Sequence, residues 1–200
     1  MAVAVHRTRR RQPPEETRRQ IIQAALEFLR ERSFRELSVD ALMARTGHTR
    51  TLFYHHFDDI PALLLALIAE TGGELLALAE DWSASGVRTP QEARRRLASF
   101  VDFHTRNAAA VRAVVEAAHH NERVEQAYGA MVERFVEVTS DAIQARVDGG
   151  ELPGIDAPEM ARALVLMVNG YLVDPLRTRD PDRALETLVA VWTRTLFPAS

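Results

Sequence analysis

The stretch from Ser38 to Phe57, SVDALMARTGHTRTLFYHHF, limits what the chain can fold into more than any other. Val39, Leu42 and Met43 form a short apolar stripe at helical spacing. Ser38 stands before them as an N-cap, where its hydroxyl can accept a bond from a backbone N–H. Gly47 ends that helix at the point where a residue without Cβ turns most easily. Thr49 then caps a second short helix running from Arg50 to about His56. Phe53 and Phe57 lie one turn apart and face inward with Leu52, which leaves Arg50, Thr51, Tyr54 and His55 outward. Arginine can pair with guanine O6 and N7, and threonine can touch a thymine methyl or a phosphate. Tyrosine and histidine can reach the backbone. An ordinary polar helix face is the alternative, but the turn, both caps and the basic start agree on a helix-turn-helix DNA reader.

Charge divides along the chain in the same sense. The formal net charge is only −3. Residues 1–57 hold eleven arginines against six acids, a net +5, and residues 58–200 hold fourteen against twenty-two, a net −8. The two parts have different electrostatic roles. A hydrophobic content of 46% and a charged content of 26% describe a globular protein that can bury a core. With no cysteine, disulfides, thiolate metal sites and cysteine nucleophiles are excluded. The first twenty residues are polar and arginine-rich, unlike a signal peptide, and no apolar run reaches the length of a membrane span. The expectation is a cytoplasmic protein with no membrane partner.

Taken in order, residues 1–14 make a basic arm containing HRTRRR and ending at Pro13-Pro14. It is either a solvated tail or an arm that lies along phosphates or enters the minor groove. A helix follows from Glu15, with Ile21, Ile22, Ala25, Leu26 and Leu29 on one face. Phe34 and Leu37 carry that face into the capped pair already described. A further helix is expected from about Pro61 to Trp82, apolar all round at its start and so buried. Thr89-Pro90-Gln91-Glu92 is a capping box with proline at the first helical position, opening a helix to about Arg106. Asn107 is read as the cap of a separate helix to about His119. Asn121 opens a long one to Val147, Asp156 another, and Asp180-Pro181 the last. No strand pattern or internal repeat is present. The fold class is all-α with about nine helices, divided into the arm (1–14), the reader (15–61) and a ligand-binding and dimerisation domain (62–200).

TRRQIIQAALEF followed by LSVDALMARTGHTRTLFYHHF resembles the N-terminal domain of TetR-family transcriptional regulators. The family's Phe-Tyr-x-His-Phe signature corresponds to Phe53, Tyr54, His56 and Phe57. The resemblance implies that the helix from Thr49 enters the major groove with Arg50 and Thr51 nearest the bases. It further implies that Tyr54 and His55 hold phosphates, with Thr49 both capping and touching one; Ser38 completes the expected contact set. His56 is expected to pack rather than to touch DNA. The family usually continues with Pro-Ser-Lys-Glu, whose lysine grips the backbone. Here Asp58-Asp59-Ile60-Pro61 stands instead, with either Asp59 or Ile60 preceding the helix, so the lysine clamp is missing and the arm becomes the candidate substitute.

The second part carries Trp82, Phe100, Phe103, Tyr128, Met131, Phe135, Met167, Tyr171 and Trp192 on mixed apolar surfaces. Aromatics and methionines at helical spacing are commonly core, but such a cluster with a few polar groups inside also describes an apolar ligand pocket. Asn169 interrupts the run Leu164–Val173, where a buried amide needs a partner, and Thr139 and His104 are weaker candidates of the same kind. All of these except Trp192 form the candidate ligand set. Ala163–Tyr171 and Leu188–Phe197 resemble the C-terminal domain of EthR-like members of the family. That likeness implies a long apolar cavity open to acyl or aromatic effectors, and a homodimer paired through the last two helices. Leu164, Met167, Leu188, Val191 and Leu196 offer more apolar surface there than one helix can bury alone. His119-His120 with Glu116 and Glu122 lacks metal-binding spacing, since adjacent residues point about 100° apart on a helix. No phosphate loop or nucleophile elbow exists. The chain is therefore expected to be no enzyme and to need no metal or cofactor. It is expected to bind a palindromic double-stranded operator, most simply as a repressor that an unidentified small molecule releases.

Overall fold

In the computed structural model residues 14–85, 89–173 and 180–197 are described, with the side chains of 82–85 outside that set. Residues 1–13 of the basic arm and the Trp82 side chain therefore lie outside the described residues, while Pro14, assigned to the arm, opens the first helix. Among the described residues there are eight α-helices, one 3-10 turn at Phe34–Glu36 and no strand. The helices are α1 (Pro14–Glu31), α2 (Val39–Thr46), α3 (Arg50–His56), α4 (Ile60–Ser85), α5 (Pro90–Ala118), α6 (Glu122–Asp148), α7 (Ala157–Val173) and α8 (Pro181–Leu196). The chain divides into two compact units, Met1–Leu63 and Leu64–Ser200.

Eight helices stand where nine were expected because α5 runs unbroken through Asn107. That residue does not cap a new helix; its Nδ2 donates to Phe103 O one turn back at 3.0 Å. An asparagine can either start a helix or tie itself to the preceding turn, and local sequence does not distinguish the two.

In the first unit α1 packs on both α2 and α3. Ile21, Ile22, Ala25, Phe28 and Leu29 are its buried apolar face, while Leu26 is only half-buried. Leu42 and Met43 of α2 and Phe53 of α3 are almost wholly enclosed, and Phe57 follows just beyond α3. Burying a side chain such as Phe53 stabilises by roughly 1.5–3 kcal/mol. Asp59 caps α4, accepting from Ala62 N at 2.7 Å, which places Pro61 at the second helical position.

In the second unit α6 packs on α7 and α5, and α5 packs on α8. One core group centres on Leu97, Val101, Ile143, Leu164, Leu188, Trp192 and Leu196. A smaller one joins Leu75 and Ala79 of α4 to Phe103, Phe135 and Val138. The capping box at Thr89 forms as expected, with Glu92 N donating to Thr89 Oγ1 and Thr89 N to Glu92 Oε2. Asn121, Asp156 and Asp180 likewise accept from the first turns of α6, α7 and α8.

Two expectations need correction. Leu164, Leu188 and Leu196 are not spare surface for a second subunit: they are 4%, 1% and 3% exposed and belong to the core of their own chain. Leu166 and Val191 are the large apolar residues that α7 and α8 expose, at 47% and 37%. Periodicity marks which face is buried but not what buries it. The second correction concerns α4, whose segment Ile60–Asp81 is long and apolar enough to cross a membrane by length and composition. Here it behaves as a core helix: Leu64, Ala66, Leu67, Leu75 and Ala79 are buried. Glu74 and Glu80 on its outer side pair with Arg106 and Arg134.

Candidate DNA-reading surface and ligand cavity

The turn between α2 and α3 is built by Gly47, whose φ of 66° and ψ of 17° lie in the left-handed region. That conformation is costly for residues with a Cβ and easy for glycine. Thr46 Oγ1 closes the end of α2 by donating to Met43 O at 3.0 Å and accepting from His48 N at 3.2 Å. His48 Nε2 then meets Gln20 Oε1 of α1 at 3.4 Å, which ties the turn to the first helix. Ser38 Oγ accepts from Ala41 N at 3.2 Å and Thr49 Oγ1 from Leu52 N at 3.4 Å, so both predicted caps are in place.

Beneath α3, the rings of Phe53 and Phe57 pack in a tilted pair at 5.6 Å between centroids, and the Arg18 guanidinium lies 5.2 Å from the Phe57 ring. This apolar footing orients the opposite face. Ser38, Thr49, Arg50, Thr51, Tyr54 and His55 are all exposed, with Tyr54 at 49%. His56 is half-buried; burial and then neighbouring His55 hold its imidazole below the ordinary histidine pKa. Arg45, on the last turn of α2, is turned back into a two-pronged pair with Glu31 at 2.7 and 2.9 Å.

One contact on this surface was not anticipated. Arg50 Nη1 donates to Asp40 Oδ2 at 2.6 Å, and Nη2 points to Tyr54 Oη at 3.4 Å. Asp40 is ten residues from Arg50, and only the angle between α2 and α3 brings them together.

The second unit contains a cavity of about 70 Å³ reached by all five of its helices. Six of the eleven candidate ligand residues line it: Phe100, His104, Met131, Phe135, Thr139 and Asn169. Phe103 does not; it is 1% exposed and packs in the smaller core group beside the wall. Tyr128 stands behind Asn169, accepting from its Nδ2 at 2.7 Å, and burial pushes the Tyr128 phenol above its ordinary pKa. Met167 and Tyr171 are half-buried against the larger core group. Trp192, outside the candidate set, lines the cavity together with Leu97, Val165 and Val168. Phe100 and Phe135, both on its wall, meet edge to face at 6.3 Å between ring centroids.

None of the residues lining the cavity carries a full charge. His104 Nδ1 faces Phe100 O at 2.9 Å, which requires the proton on Nδ1 and leaves Nε2 as an acceptor. Burial holds this imidazole below the ordinary histidine pKa, so it is neutral at pH 7. His119 Nδ1 likewise turns to a backbone carbonyl, that of Val115, at 2.7 Å. Among the described residues no three His, Asp or Glu side chains gather as a metal site.

Residues 21–67 match the family profile of bacterial regulatory proteins of the tetR family, and residues 93–198 match that of the transcriptional regulator EthR, C-terminal domain. The HTH-type transcriptional regulator EthR of Mycolicibacterium smegmatis is 27% identical over 187 residues, covering 88% of this chain and 84% of that protein. EthR of Mycobacterium tuberculosis is 27% identical over 184 residues, covering 88% and 85%. Among solved structures, the TetR-family regulator PfmR of Thermus thermophilus superposes with a TM-score of 0.70 at 23% identity, covering 91% of this chain and 96% of that one. GusR of Salmonella enterica does so with a TM-score of 0.70 at 18% identity, covering 93% and 98%. With one profile spanning more than half its length and the second falling on the paired helices of the reader, the chain belongs to the TetR family of transcriptional regulators and is a ligand-responsive, DNA-binding protein rather than an enzyme.

Proposed function

We propose that the chain acts in the cytoplasm as a homodimeric repressor of a palindromic operator and that a small apolar or amphipathic molecule releases it. The observation that carries the reading is the exposed face of α3, where Arg50, Thr51, Tyr54 and His55 stand clear of a helix fixed by Thr49 and Phe53. Arg50 and Thr51 at its start are assigned to base edges, and Tyr54, His55 and Thr49 to phosphates. Ser38 opens the preceding helix with its hydroxyl committed to the cap and its edge open to a phosphate. Two such faces one helical turn apart would meet the halves of a palindrome, so a single copy would bind weakly.

Leu166 and Val191 on the outer sides of α7 and α8 support pairing of the subunits there, with Ala163 and Gly170 leaving room for close approach. Phe100, His104, Met131, Phe135, Thr139 and Asn169 are the effector contacts the cavity favours, and Trp192 joins them. Its polar atoms suit a neutral molecule with a hydrogen-bonding end, because a carboxylate would find no cation among the lining residues. An effector of drug size needs roughly 300–1,000 Å³, so its entry must displace side chains, and Met131 is the most pliant of those named. That displacement supplies the differential affinity by which ligand and operator oppose one another, each weakening the other by the same factor.

Operator recognition and release are tested together by selecting genomic fragments that bind the full chain and then titrating the complex with small amphipathic compounds. Sequence-specific fragments carrying inverted repeats support the operator reading. A compound that binds tightly without changing operator affinity refutes release by ligand.

A further inference from the structure

Arg50 is the sole arginine of α3, and lysine is absent from the chain. Its guanidinium is already held by Asp40 from the first turn of α2, in a pair whose side chains are 57% and 66% exposed. This pair uses one N–H of Nη1, at 2.6 Å, and the Tyr54 hydroxyl lies beside Nη2. A guanidinium has five N–H donors in a fixed plane, so the edge formed by Nε and Nη2 can meet guanine O6 and N7 without breaking the bond to Asp40.

We propose that Asp40 is a specificity-determining residue, which orients Arg50 toward a base edge and penalises its use on phosphate. The proposal rests on the reading that α3 enters the major groove. Guanine O6 and N7 are uncharged acceptors and are compatible with a carboxylate on the far side of the guanidinium. A phosphate brought to the same guanidinium is an anion facing another anion. It must either displace Asp40 or bear its repulsion. Exposed pairs of this kind are weak in themselves, so Asp40 does not prevent binding. It subtracts selectively from the sequence-independent part, which phosphates dominate.

The test is Asp40→Asn in the full chain, measured by fluorescence anisotropy on a selected genomic fragment and on a scrambled duplex of equal length, across a salt series. Affinity for the scrambled duplex should rise roughly three- to tenfold, with a salt slope steeper by about 1 per protomer. Affinity for the selected fragment should change less than about twofold, so the ratio of the two falls. In an Arg50→Ala background the same substitution should leave that ratio unchanged. Equal tightening on both duplexes, or the same fall in ratio without Arg50, overturns the proposal and makes Asp40 a general repulsive charge. If Arg50→Ala alone alters neither affinity, α3 does not read DNA and the assignment on which the proposal rests fails with it. Circular dichroism of each variant separates these outcomes from loss of fold.

Discussion

Replacing His104 by asparagine should remove a specific part of the protein's acid sensitivity while leaving its local hydrogen bond intact. His104 is 8% exposed, and its Nδ1–H donates to Phe100 O at 2.9 Å. Asn107 makes the same bond three residues later on the same helix, Nδ2 to Phe103 O at 3.0 Å. An asparagine at 104 can therefore keep the donor and lose the titration. In the folded protein burial keeps His104 neutral below the ordinary histidine value, whereas the unfolded chain takes up its proton near pH 6.5. The stability tied to this residue is complete above that pH and is lost as pH falls toward the lower folded-state value. The slope cannot exceed about 1.4 kcal/mol per pH unit. From pH 6.5 to 5.5 the integrated loss reaches up to about 1 kcal/mol, because the unfolded histidine goes from half to mostly protonated. Urea denaturation of wild type and His104→Asn at pH 7.5, 6.5 and 5.5, at one protein concentration, reads this directly. The variant should carry an offset independent of pH for its lost ring atoms, and wild type should approach it as pH falls. Parallel stability curves would refute the reasoning.

Phe53→Ala should cost roughly 3–5 kcal/mol and abolish sequence-specific binding, as seen in a thermal melt and an anisotropy titration, since Phe53 is fully buried beneath the exposed face of α3. Tyr128→Phe should destabilise by about 1–3 kcal/mol by removing the acceptor of Asn169 Nδ2. Combining it with Asn169→Leu should cost less than the sum of the two, as a denaturation double-mutant cycle would show. Leu166→Glu with Val191→Arg should shift sedimentation toward monomer and weaken operator binding without lowering the helical signal, if these exposed residues form the subunit contact.

The reader was legible because each of its devices is local. A capping hydroxyl, a glycine at the turn and two phenylalanines one turn apart act within a few residues of themselves, and each occupies the place its chemistry predicts. The Asp40–Arg50 pair was not legible, because it depends on the angle between two helices. Asn107 misled because its amide serves a cap and a back-bond equally well. Leu164, Leu188 and Leu196 repeat correctly as a buried stripe, but the stripe is silent about whether its cover belongs to the same chain. Around the cavity the position of a residue along α5 was decisive. Phe100 and His104, four apart, share the wall, whereas Phe103 is rotated into the neighbouring core. The expectation that Asn169 must have a partner held, and the partner is Tyr128.

The left-handed Gly47 makes the reader's turn a question of chirality rather than of space. A Cβ added there would meet nothing within 4 Å, so crowding cannot be what keeps other residues out. The cost of Gly47→Ala, about 1–2 kcal/mol, would come from backbone handedness alone. The mirror-image residue carries the opposite preference. D-alanine installed at position 47 by ligation of a synthetic segment should fit the φ of 66° and raise the melting temperature. Its benefit, about 0.4–1 kcal/mol, would come from narrowing the unfolded chain. Two isomers with identical atoms and opposite effects on stability would make this turn a stereochemical gauge of reader folding.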